Sequence, residues 1–97
     1  MSIKTVKRHL RRTSEEIASL RAELVLLDEQ WAHLSDEADT ARLHALVSET
    51  PISERTHHWA ARHVEVMGQQ RTQVADRLGQ LEGRQDELLD QISAHLR

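Results

Sequence analysis

Apolar residues recur at alternating steps of four and three from Ile3 to Leu34, and after the lone proline, Pro51, the same rhythm resumes. A 3.5-residue period held over so many turns keeps one apolar seam facing one neighbour, which is the pattern of a left-handed coiled coil. With Ile3 at heptad position a, the a series is Ile3, Leu10, Ile17, Leu24, Trp31, Ala38 and Ala45; the d series is Val6, Thr13, Leu20, Leu27, Leu34, Ala41 and Ser48. None of these is charged. Beyond Pro51 the a series becomes His57, Val64, Arg71, Leu78, Gln85 and Ile92, and the d series Ala60, Met67, Val74, Leu81, Leu88 and His95. The second seam is more polar than the first.

Thr50-Pro51 supplies a capping hydroxyl ahead of a proline whose fixed φ suits the first helical position, and proline disfavours helix for the residue before it. The sequence therefore predicts one domain, residues 1–97, with helix one over about 2–47, a turn at about 48–51 and helix two over about 51–96. So short a link folds the helices back antiparallel, an all-α coiled-coil helical hairpin with arms roughly 70 Å long at 1.5 Å per residue. In an antiparallel pair a residues face d residues, and partner numbers that total 98 or 105 both satisfy the two seams. A total of 98 sets Thr13 against Gln85 as one matched polar layer, Trp31 against Met67 and Ile17 against Leu81. A total of 105 mismatches two layers, so 98 is the expected register. It also places Glu16 beside Arg84, Glu23 beside Arg77, Glu37 beside His63 and Arg42 beside Glu54, and lets Asp28, next to Leu27, reach the seam residue Arg71.

Two facing helices need only positions a and d, yet this chain has more apolar residues than that. Val25, Leu26, Leu43, Leu46 and Val47 lie off the seam in helix one, and Ile52, Trp59 and Val66 follow one another at seven-residue spacing in helix two. The small row Ala61, Gly68 and Ala75 would admit a close neighbour. Apolar positions outside the seam belong to helices with a second neighbour, as in four-helix bundles. The partner-binding residues expected from sequence are these eight, with Trp59 as anchor because large aromatic residues dominate interface energetics. The expected partner is a second copy, giving a homodimeric four-helix bundle, or a different helical protein.

Composition narrows the function further. The chain has no cysteine, hence no disulfide or thiolate chemistry. It lacks the continuous apolar run of a signal peptide or a membrane span, which points to a cytoplasmic protein. Seven histidines invite a metal site, but those near Pro51 lack the i, i+3 or i, i+4 ligand spacing, so no metal and no cofactor is expected. Residues 1–14 carry five bases and no acid, while the rest carries eight bases and sixteen acids. The register lays that basic start beside Glu82, Asp86, Glu87 and Asp90, and the overall acidity points away from nucleic acid as partner. A coiled coil with so thin a core offers no concave, desolvated pocket for catalysis, so the chain reads as a non-enzymatic assembly, adaptor or regulatory module.

A second reading concerns the turn. Glu49 and Glu54 bracket it, and acidic residues at the tip of a long helical hairpin resemble transcription factors of the Gre and DksA kind, which insert such a tip into the RNA polymerase secondary channel. The resemblance covers the hairpin alone, without the globular domain of those families; it implies a tip-acting regulator. Size and hairpin shape are also similar to small secretion proteins with a Trp-x-Gly turn, but here the turn reads Ser48 to Ser53 and Trp59 is followed by Ala60 and Ala61.

Overall fold

Two helices, α1 (Ile3–Ser48) and α2 (Pro51–Leu96), pair antiparallel as a helical hairpin in the computed structural model, which describes residues 2–97. The chain divides into two compact units. One, the end half, joins the residues up to Leu24 with Gln73–Arg97; the other, the turn half, is Val25–Thr72.

The end half holds the thicker core. Ile17, Leu78 and Leu81 form a buried cluster, with Leu20 and Leu24 packed against it, and Val6 and Leu88 are buried further along the same seam. In the turn half only Leu27 and Ala45 are buried apolar residues, and alanines occupy the seam at 38, 41, 45 and 60. Every a and d position from Ile3 to Ile92 is buried or half-buried except Trp31, at 39% exposure. The heptad reading thus holds to the last layer, where His95 is exposed.

Polar contacts between the helices show the register in each half. In the end half Gln85 Nε2 donates to Ser14 Oγ at 3.1 Å, beside Thr13, the residue that a total of 98 sets opposite Gln85. In the turn half Arg71 Nε donates to Asp28, which neighbours Leu27 opposite it. A total of 105 would carry Gln85 to Leu20 and Arg71 to Leu34, out of reach of these partners. The expected flanking pairs did not form: Arg77 bonds Glu16 at 3.1 Å, a heptad from Glu23, while Arg84 takes Glu87 of its own helix at 3.2 Å. Glu37 pairs with His33 at 3.0 Å and Glu54 with His58 at 3.8 Å. Exposed pairs contribute about 0.2 to 1 kcal/mol each, too little to compete with apolar layers in choosing the register.

Rotation of the helices about their own axes closes one flank more than the other. Six position-e residues are half-buried, Ser14, Ala75 and Glu82 in the end half and Asp28, Ser35 and Gly68 in the turn half, against His9 and Arg84 alone at position g. Four of these six e residues, Ser14, Ser35, Gly68 and Ala75, are small, which allows this approach, whereas g carries Glu16, Glu23, Gln30, Glu37, Gln70 and Arg77. Gly68 shows the consequence directly. A Cβ there would stand 3.2 Å from Trp31 Nε1, so the glycine makes room for the indole of α1. The small row expected to admit a second molecule is, at Gly68, used inside the hairpin.

At the turn, Thr50 and Ser53 cap α2 reciprocally: Ser53 N–H donates to Thr50 Oγ1 at 3.1 Å, and Thr50 N–H donates to Ser53 Oγ at 3.1 Å. This is a capping box with serine in the place of glutamate, and it satisfies the buried Ser53 hydroxyl. Glu49, the residue after α1, has φ 51°, the left-handed conformation that usually ends a helix on glycine. Glu49→Gly is therefore expected to stabilise the hairpin by about 1 kcal/mol, read as a higher urea midpoint at unchanged slope; an equal or lower midpoint would contradict the left-handed assignment.

Candidate functional site

Helices this long leave two thirds of their surface outside the seam, so function depends on what the outward positions carry. Among the described residues eleven large apolar side chains are exposed, and nine of them lie in the turn half; only Leu89 and Leu96 belong to the end half. Near the turn the bulk is on the outside: alanine occupies the seam at 38, 41, 45 and 60 while Leu43, Leu46, Val47, Ile52 and Trp59 are 57% to 85% exposed. All eight partner-binding candidates from the sequence fall in this half, and all are exposed, Val25, Leu26 and Val66 at 52% to 58%.

They do not form one continuous strip. On α1, Val25 and Leu46 occupy position b, toward the e side, Leu43 position f on the back, and Leu26 and Val47 position c, toward the g side, so they spread around the outer surface of the helix. On α2, Ile52, Trp59 and Val66 all occupy position c, on the open g side. Trp59 is braced from below by His63, one turn on, with ring centroids 5.1 Å apart. Trp59, Arg62, His63 and Val66 line a shallow depression of about 310 Å³. A larger one, of about 420 Å³, lies on α1 among His33, Asp36, Glu37, Thr40, Ala41 and His44. That second depression was not anticipated from the heptads. Its signal in the sequence is the run of short residues Thr40 and Ala41 between the larger His33, Glu37 and His44.

Trp31 is another feature that the seam reading missed. The residue is 39% exposed, and the Arg71 guanidinium stands over its ring at 5.9 Å while also bonding Asp28. Arginine at a seam position is thereby held by a carboxylate and an aromatic face, both on α1.

The acidic tip residues have local roles. Glu49 supplies the left-handed link between the helices, and Glu54 sits in the first turn of α2, where the helix dipole favours an acid, 3.8 Å from His58. The basic start is arranged differently from the sequence reading. Among the described residues Lys4, Lys7, Arg8 and Arg11 make no ion pair; they line a depression of about 290 Å³, and Glu87 is taken by Arg84. Positions b and f, which hold Lys4, Arg8 and Arg11, point away from α2, so its acids are beyond their reach.

Among the described residues no three His, Cys, Asp or Glu side chains stand close enough to hold a metal ion. None of the described helices is long and apolar enough to cross a membrane. No protein-family model matches the chain, and no curated protein or solved structure is significantly similar to it.

Proposed function

We propose that the protein is a non-enzymatic interaction module that self-associates through its turn half and serves as an assembly, adaptor or regulatory part of a larger complex. The observation that carries this reading is the turn half, with alanines in the seam next to the turn and nine large apolar residues exposed. Scattered exposed apolar residues are ordinary, but a concentration of this kind in half of a small chain marks a contact surface. Covering the exposed part of one Trp59 indole is worth about 3 kcal/mol at 25 cal/mol per Å². Several such side chains outweigh part of the entropy lost on association, about 4 to 15 kcal/mol. The end half has a leucine core and two exposed large apolar residues.

The test is the mass of the full chain in solution. Light scattering at micromolar concentration is expected to give at least twice the monomer mass of 11.2 kDa. Trp59→Ala combined with Val66→Ser is expected to return it to the monomer while far-UV circular dichroism stays helical, since neither side chain supports the seam. A wild-type chain that scatters as a monomer at all concentrations would overturn the self-association reading.

A further inference from the structure

We infer that two copies associate about a two-fold axis parallel to the helices, each inserting Trp59 into the depression between His33 and His44 on α1 of the other. This deepens the self-association reading and rests on it.

The position of the open flank comes first. In the turn half Asp28, Ser35 and Gly68 are half-buried on the e side while Arg42, Glu54 and Ala61, nearer the turn, are exposed there; both depressions lie on the g side. On α1, His33 and Thr40 occupy position c and Glu37 and His44 position g. On α2, Trp59 and Val66 occupy c and His63 occupies g. Hole and knob therefore lie on the same flank of the hairpin, one on each helix.

Level comes next. The Asp28–Arg71 bond and the approach of Trp31 to Gly68 place residues of α1 and α2 side by side when their numbers total 98, to within one residue. Trp59 then stands level with Asp39, within the His33 to His44 span, and Arg62 stands level with Asp36. Turning one hairpin about an axis parallel to its helices keeps every level and sets α1 of one copy over α2 of the other. Each Trp59 meets the open depression on α1 of the other copy, and the contact is made twice because such an interface is isologous.

Charge agrees with this pairing. Arg62 lines the Trp59 depression and Asp36 lines the α1 depression, and among the described residues neither has an ion-pair partner in its own chain. In the dimer they meet at the rim of both contacts. Glu37 and Thr40 offer oxygen acceptors to the Trp59 indole N–H, which a buried tryptophan requires. A second copy is thus complementary in level and charge.

Charge reversal in the full chain tests this geometry by sedimentation. Arg62→Glu alone places an acid against Asp36 in both contacts, and Asp36→Lys alone places a base against Arg62; each is expected to weaken the dimer by about tenfold or more. In an equimolar mixture, Glu at 62 meets Lys at 36 in one contact while Arg62 meets Asp36 in the other. The mixture is expected to recover wild-type association as a heterodimer. Failure of the mixture to recover, or wild-type association by either single variant, would overturn the geometry. If the single variants associate normally while Trp59→Ala with Val66→Ser does not, self-association stands and only this docking falls. A monomeric wild type removes both.

Discussion

Leu88→Ala is expected to lower the unfolding midpoint by roughly 15 °C, the largest effect of any single truncation in this chain. Leu88 is 0% exposed and lies at a d position of the end half. Removing its isobutyl group forfeits the transfer free energy and leaves a cavity, a loss of about 2 to 5 kcal/mol. A domain of this size shifts its midpoint by about 4 to 8 °C per kcal/mol, and has only about 5 to 15 kcal/mol of stability in total. The control is Leu26→Ala in the turn half. Leu26 is 58% exposed, so its truncation should cost less than about 1 kcal/mol in the monomer. Thermal melts followed by circular dichroism, in dilute solution to suppress association, compare the two. Coincident melts would show that the end-half core does not govern stability.

The second large effect is expected at Arg71. Arg71→Glu sets a carboxylate beside Asp28 at a seam position and removes the cation from the Trp31 face. Breaking a fully buried pair costs about 3 to 5 kcal/mol. Arg71 and Asp28 side chains are 40% and 45% exposed, so solvent screening reduces the expected loss to about 2 kcal/mol. Asp28→Arg on its own should cost a similar amount by opposing two guanidinium groups. Joining Asp28→Arg to Arg71→Glu restores opposite charges at the same two sites. The double variant should therefore regain most of the stability lost by each single one, measured as a positive coupling in urea unfolding. Additive losses would mean that the contact between the helices at this layer is not what the pair supports.

Much of this architecture can be read before any coordinates. The heptads name nearly every seam residue, because burial against a single neighbour repeats with the helix period itself. Pro51 and Thr50 mark the reversal because their backbone preferences are local. Even the register follows, since Gln85 and Arg71 are polar interruptions that set Gln85 against Thr13 and Arg71 within reach of Asp28; the structure gives Gln85 the hydroxyl of Ser14, next to Thr13. The flanking ion pairs were less legible. Arg77 reaches Glu16 and Arg84 turns back to Glu87 because long side chains at exposed positions have several nearly equal partners.

The surface shows the same division. That Val25, Leu26, Leu43, Leu46, Val47, Ile52, Trp59 and Val66 lie outside the seam follows from their spacing. Which flank stays open does not, because the period locates the seam to within tens of degrees and leaves each helix free to rotate. Pairing of the two helices sets that angle: small residues at e, Gly68 beneath the Trp31 indole above all, let the e side close, and long charged residues at g hold the other side apart. The sequence by itself determined the hairpin, its register and the surplus of apolar residues. Only the tertiary structure decided that Trp59 stands on the more open flank, since that depends on how closely two particular faces can approach.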